Sequence, residues 1–500
     1  MFAWRQTAPA WLPLTKTHEP MSLKRRRDAI RSYVRLGVCI LLPLLCLFIP
    51  LESYPLEGIS LVERRVVAIF LLAALCWVLE PIPIFATSML IIVLELVMIS
   101  SSALLPFRRS VDAPLGKLLA YQDIMATLAS PIIMLFLGGF FLAMAATKYR
   151  LDINLARVLL RPFGDRPPMV MLGLMGITAV FSMFMSNTAT TAMMLSILMP
   201  ILAFFDPADK GRMALVLAIP MAANLGGLGT PIGTPPNAIA LKYLTGENTI
   251  SFSTWMLFGV PFALLLLGFA WILLLRLFPF QSDRVVIDIK GTFLRNRKAY
   301  VVYATFALTV LLWLTDFVHG MNSYVVAMLP VAVFLATNII TKEDLKKLSW
   351  DVLWLVSGGI ALGLALEQSG LAERLVRQIP FDQFSPYLIL AAAALLAAVM
   401  ANFMSNTATA NLLLPIMAAL GAALESLQDI GGLVAIVLGT ALACSMGLAM
   451  PISTPPNALA YATGLVDTGQ MARVGIVLGA MGLGLIFLLL YVIQAVGLFS

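Results

Sequence analysis

Charge is scarce in this chain. Asp, Glu, Lys and Arg make up 12% of its 500 residues, against about 25% in soluble domains. Histidine is nearly missing: His18 and His319 are the only two and stand far apart, so a His-based metal centre or proton relay is excluded. The four cysteines, Cys39, Cys46, Cys76 and Cys444, have neither metal nor redox spacing, and all sit in apolar segments as small hydrophobes. No low-complexity stretch or soluble domain interrupts the sequence. What abounds is apolar surface, with 60% of residues hydrophobic. Many segments reach the roughly 20 apolar residues that cross a bilayer. The chain reads as an all-α polytopic membrane protein. Its net charge of +7 is then a topological signal rather than a nucleic-acid footprint.

Apolar spans fall near 34–51, 66–79, 83–105, 131–147, 213–241, 256–278, 300–318, 323–340, 352–366, 431–460 and 474–498, about eleven transmembrane helices. Lys24–Arg27 ahead of the apolar run 37–50 imitates a signal peptide. No small-residue cleavage site follows, so the run is read as a retained first helix. Two further apolar regions, 168–204 and 386–424, are interrupted midway by Ser-Asn-Thr. Their halves are short, which suits re-entrant hairpins that enter and leave on one side. Stretches 149–166 and 367–382 mix charges with apolar residues at helical spacing and read as interfacial amphipathic helices. With the basic tail 1–33 placed in the cytoplasm, inner segments carry 25 of the 33 Lys and Arg, and outer segments 8. That asymmetry puts the N-terminus inside and the C-terminus outside, with the plasma membrane as the expected location.

The second half repeats the first. Phe184-Met-Ser-Asn-Thr-Ala-Thr190 recurs identically as Phe403–Thr409, 219 residues on. Pro231-Ile-Gly-Thr-Pro-Pro-Asn-Ala238 recurs as Pro451–Ala458 with one change, 220 residues on, and Gly138-Gly139 recurs as Gly358-Gly359. Three matches at one offset make a duplication. After a first helix at 34–60, repeat 1 (61–280) holds hairpin 168–204 and broken helix 213–241. A cytoplasmic linker at 281–299 follows, then repeat 2 (300–500) with hairpin 386–424 and broken helix 431–460. Five crossings per repeat, an odd number, invert the second copy relative to the first, the arrangement of secondary transporters.

These motifs have a physical use. A hairpin tip inside a bilayer exposes backbone groups that cost several kcal/mol each if unpaired. Ser, Asn and Thr offer donors and acceptors in little volume. The prolines of Thr-Pro-Pro-Asn stop a helix, leaving carbonyls for a cation at one half-helix end and a positive dipole for an anion at the other. No Arg, Lys or His lies in any tip or break. Burying a multivalent anion there without compensation is prohibitive. Co-bound cations on an all-oxygen ligand set, which suits a hard ion such as sodium, close the gap. The sequence thus reads as cation-coupled anion uptake. An enzyme is disfavoured because Ser186 and Ser405 have no His, Asp or Lys nearby in sequence, and a channel because the repeat favours alternating access.

The paired motifs, with the Gly-Gly helices and Glu80-Pro-Ile-Pro83, resemble those of the divalent anion–sodium symporter family, the dicarboxylate and citrate carriers, over about residues 62–497. The resemblance implies a homodimer with an elevator motion and co-transported sodium ions. It implies substrate contacts from Asn187, Thr188, Thr234, Pro235, Ser405, Asn406, Thr407, Thr454 and Pro455. It implies one sodium site at Ser182, Ser186, Asn187 and Gly233, and another at Ala401, Met404, Asn406 and Ser453. Position 401 is alanine where a hydroxyl residue is common in the family, so the second site is expected to be the weaker. Relatives that exchange anions without sodium are reported to place basic residues in the cation positions, and this chain has none there. Succinate, malate, fumarate and citrate remain open as substrates. So do exchange in place of symport and sulfate or another oxyanion as cargo. Of the remaining acids, Glu95 inside the third span is expected in a structural pair or at a helix end rather than on an ion path, Glu80 as a cap or ion pair, and Asp316 as solvated at a membrane boundary.

Overall fold

The structure, a computed structural model, describes residues 23–56, 58–110, 113–203, 205–285, 293–378 and 381–496. Among these the regular structure is helical, with one isolated bridge between Ser100 and Leu119. Short polar or proline caps start the long helices. Ser60 and Glu63 close a reciprocal capping box at the head of Leu61–Leu79, which satisfies backbone N–H groups that a helix start leaves open. Proline occupies the first turn of Pro131–Lys148, Pro167–Phe184 and Pro386–Phe403, where its missing N–H costs nothing.

Both interrupted regions are helical hairpins, Pro167–Phe184 with Asn187–Leu202, and Pro386–Phe403 with Asn406–Ala423. Both proline motifs are broken helices, Gly211–Gly226 followed by Pro235–Tyr243, and Gly432–Cys444 followed by Pro455–Ala462. Nine helices among the described residues are long and apolar enough to cross a membrane, and five shorter apolar ones accompany them.

The two halves clasp each other reciprocally. Pro131–Lys148 packs on Ser323–Ala336, and its counterpart Trp350–Gln368 packs on Ile84–Met98. The leading glycine of each Gly-Gly pair makes the crossing possible. A Cβ on Gly138 would sit 2.2 Å from the Ala327 carbonyl oxygen, and one on Gly358 would sit 2.3 Å from the Ser88 Cβ. The arms past the tips also trade partners: Asn187–Leu202 packs on Pro455–Ala462, and Asn406–Ala423 on Pro235–Tyr243. At the helix ends Lys148 Nζ donates to Asp344 at 2.5 Å, and at the matching place Gln368 Nε2 donates to Asp123 at 3.3 Å. Burial works against the Asp344 charge, but Lys148 and Thr341 outweigh it and hold its pKa down at about 2.

Several sequence expectations need correcting or refining. The first helix starts at Leu23, inside the expected tail 1–33, because Lys and Arg are good helix formers that prolong the apolar run. Residues 1–22 of that tail, and 286–292 of the expected linker 281–299, lie outside the described residues. The amphipathic stretches contain Leu151–Leu160 and Leu371–Gln378. Asp316 is not solvated: it is buried, and both the hydroxyl and the backbone N–H of Ser253 donate to its carboxylate. Glu80 stands at the C-cap of Leu61–Leu79 in a left-handed conformation.

Candidate functional site

Each hairpin turns in two residues. Met185 and Met404 are extended, and Ser186 and Ser405 cap the returning arms. The returning helices therefore begin at Asn187 and Asn406, within the tips themselves. The two caps differ. Ser405 Oγ accepts from Ala408 N at 3.1 Å, whereas the Ser186 side chain makes no such bond.

Each break is spanned by its own asparagine. Asn237 Nδ2 donates to the carbonyls of Gly227 and Thr230, at 3.1 and 2.9 Å. Asn457 Nδ2 donates to those of Leu448 and Met450, at 3.0 and 3.1 Å. Carbonyls released by the interruption are thus satisfied from the far side of the gap, which a buried break requires. Thr234 and Thr454, both extended, lead into Pro235-Pro236 and Pro455-Pro456.

Tips and breaks meet around one cavity of about 140 Å³. It is lined by Ser186, Asn187 and Thr188, by Ser405, Asn406 and Thr407, by Gly233, Thr234 and Pro235, and by Ser453, Thr454 and Pro455. Four helix N-termini converge there, at Asn187, Pro235, Asn406 and Pro455. Each helix start carries roughly half a positive charge, which makes such ends natural anion sites. No ionisable side chain lines the cavity among the described residues. Ser182, Ala401 and Met404 stand outside this lining. Ser182 and Ala401 back the tips, and Met404 is buried in an apolar cluster.

A family model described as citrate transporter matches residues 74–438. The sodium-dependent dicarboxylate transporter SdcS of Staphylococcus aureus is 32% identical over 504 residues, covering 92% of this chain and 90% of that protein. The chain belongs to the divalent anion–sodium symporter family. The SdcS protein of Staphylococcus saprophyticus is likewise 32% identical, over 466 residues, with 85% of each chain covered. The YdaH transporter of Alcanivorax borkumensis shares the fold at a TM-score of 0.53 and 13% identity, covering 83% of this chain and 98% of that one. The protein is a multi-pass membrane transporter.

Within this symporter-family chain, the oxygens around the tips fit a small hard cation unequally. At the first tip the Ser182 hydroxyl lies 2.5 Å from Asn187 Oδ1 and 2.7 Å from the Ala223 carbonyl. One hydroxyl proton cannot serve both acceptors, so the cluster keeps spare lone pairs. Next to it, a Cβ on Gly227 would lie 2.8 Å from the Gly233 carbonyl and 3.0 Å from Asn187 Nδ2. The absent side chain leaves a cradle between these groups. At the second tip Ala401 replaces the serine, and Asn406 Oδ1 is buried without a hydrogen-bond partner among the described residues. Ser453 spends its hydroxyl proton on the Asn402 carbonyl, at 3.1 Å.

Sequence reasoning missed two polar residues in the transporter. Asn224, an isolated amide in an apolar run, lines the cavity and reaches the other half of the molecule. Lys242, at the end of the helix after the first break, donates to the Ile360 carbonyl at 2.8 Å and interacts electrostatically with Glu95 and Glu367. Glu95 itself is fully buried, and among the described residues neither carboxylate oxygen has a hydrogen-bond partner. Among the described residues its interaction is electrostatic rather than a direct hydrogen bond, and Lys242 is the charge that acts on it. A lone lysine outside any motif gave no sequence signal of this arrangement.

Proposed function

We propose that this protein is a secondary active transporter that couples sodium entry to uptake of a di- or tricarboxylate of the succinate, malate, fumarate and citrate class. The observation that carries the reading is the convergence of four helix N-termini and two Ser-Asn-Thr tips on a cavity without ionisable side chains. Hydroxyls, amides and dipoles attract carboxylates there, yet they fall short of a dianion's charge. Sodium ions beside the tips supply the remainder. The first ion would rest on Ser182, Ser186, Asn187 and Gly233, where the Gly227 cradle supports the assignment. The second would rest on Asn406 Oδ1, Ser453 and the backbone of Ala401 and Met404, where the orphaned amide oxygen supports it. The carboxylates would meet Asn187, Thr188, Thr234 and Pro235 from one half and Ser405, Asn406, Thr407, Thr454 and Pro455 from the other. At about 10–15 Å³ for each water, the cavity has room for roughly ten heavy atoms, the size range of a small polycarboxylate. The names of the curated relatives support both sodium and dicarboxylate.

An elevator motion is part of the proposal. Each hairpin is hydrogen-bonded to its own break, through Ser182 and Thr230 in the first half and Asn402 and Ser453 in the second. Asn224 ties one break to the other. Tips and breaks are thereby equipped to move as one body against the remaining helices. We place the N-terminus in the cytoplasm, the C-terminus outside and the working form as a homodimer in the plasma membrane.

Uptake of labelled succinate, malate, citrate and sulfate into proteoliposomes tests the reading. An inward sodium gradient should drive dicarboxylate accumulation that choline does not support. Equal uptake in choline would remove sodium coupling. Uptake that needs internal dicarboxylate would make the protein an exchanger, and sulfate uptake alone would replace the substrate class.

A further inference from the structure

Asn224 belongs to the helix ahead of the first break but points its amide into the second. Its Nδ2 lies 3.0 Å from Asn457 Oδ1 and 3.1 Å from Thr454 Oγ1. The two amides are oriented by their surroundings. Asn457 gives both Nδ2 protons to backbone carbonyls of Leu448 and Met450, so its oxygen must face Asn224. Asn224 must then turn its own Nδ2 toward that oxygen, which leaves its other N–H for the Thr454 hydroxyl. The same hydroxyl also accepts the backbone N–H of Asn457, at 3.3 Å.

A threonine hydroxyl has two lone pairs and one proton. At Thr454 both lone pairs are taken by N–H groups, so the proton is all that it can offer. Among the described residues that proton has no acceptor, and Thr454 lines the cavity. Pro455 and Pro456, the first two helical residues, have no N–H to give, so the threonine hydroxyl becomes the donor that this helix start presents.

We propose that Asn224 is a positioning residue that fixes the Thr454 hydroxyl as a donor toward the substrate. A preset donor favours an ionised carboxylate, whose charged oxygens accept about twice as strongly as the carbonyl of an amide or a neutral acid. The control is one-sided. Thr234, the counterpart of Thr454, makes no capping bond, and the residue at the position matching Asn224 is Cys444. This inference rests on the proposed carboxylate contact of Thr454.

The test is a double-mutant cycle on the full-length protein in proteoliposomes, with succinate at saturating sodium. Asn224→Ala and Thr454→Ala should each raise KM about ten- to a hundredfold, the scale of one hydrogen bond to a charged group, with Vmax nearly unchanged. The double variant should resemble Thr454→Ala alone. Multiplication of the two single effects, or a fall in Vmax at constant KM for Asn224→Ala, would overturn the positioning role. Should Asn224→Ala fail to fold, Asn224→Cys takes its place in the cycle, with thermal stability measured first. If instead Thr454→Ala leaves KM unaltered, or the wild type does not transport succinate, the substrate contact itself is wrong.

Discussion

The two halves share one set of motifs and differ in which oxygens they leave open. In the first half the tip is closed and the break is loose. Ser182 occupies Asn187 Oδ1, while Asn237 Oδ1 is buried without a partner. In the second half the reverse holds. Asn406 Oδ1 has no partner because Ala401 stands where a serine would reach it, while Asn457 Oδ1 receives Asn224. An unpaired buried carbonyl costs about 1–3 kcal/mol, so among their tips and breaks the two copies carry this cost at different places. Duplication supplied a symmetric frame, and single side chains divided the roles within it.

The largest break in this comparison comes from Lys242, whose counterpart in the second half is Ala462. Lys242→Met leaves Glu95 and Glu367 without their cation. The ammonium also donates to the Ile360 carbonyl, a charged hydrogen bond worth about 1.5–3 kcal/mol, so a fall in Tm is expected in detergent. An unchanged Tm would mean that the Lys242 ammonium contributes nothing to the stability of this half. Next, Ser182→Ala should raise the sodium half-saturation about tenfold, by loss of one ligand oxygen worth ~1.4 kcal/mol. Ala401→Thr should lower it. If neither substitution moves the sodium curve, the cation assignments at both tips fail.

A gentler test restores symmetry. Cys444→Asn should reach Asn237 Oδ1 and Thr234 as Asn224 reaches their counterparts, adding about 1 kcal/mol of stability. Loss of stability would show that the halves differ in more than this side chain. The smallest effect concerns the helix-end ties. Asp344 has its pKa depressed to about 2 from 3.8, so its contribution is fully present above about pH 4 and fades as pH falls through 2. Lys148→Gln should reduce this acid-side fading to the share that Thr341 maintains and make the tie resemble Gln368–Asp123, with a cost of about 1 kcal/mol or less. An acid melting profile that stays the same in the variant would assign the fading to other carboxylates.

Hairpins, breaks and the cavity-lining motifs were legible in the sequence because duplication printed each of them twice. Proline and Ser-Asn-Thr punctuate apolar runs whatever surrounds them, so local chemistry alone located them. Contacts across the halves were not legible. Asn224 meets Thr454 over 230 positions, and no spacing rule links an isolated amide to a break in the other repeat. Asp316 misled because position near a span's end implies water, whereas Ser253 supplied two donors from a distant helix. The deficit at Ala401 was readable, since comparing the copies needs only counting. Its consequence, the orphaned oxygen of Asn406, needed coordinates.

A cavity walled by hydroxyls, amides, helix starts and apolar side chains such as Phe136 and Phe140 has no titration curve of its own. Between mild acid and mild base nothing in its lining gains or loses a proton. Any pH dependence of substrate affinity should therefore follow the ionisation of the substrate's own carboxyl groups, shifting from one acid to the next with their acidity. Part of the attraction also comes from the helix starts themselves. Alanine scanning will therefore miss the share that comes from the helix starts at Asn187 and Asn406, whose backbone no side-chain replacement removes.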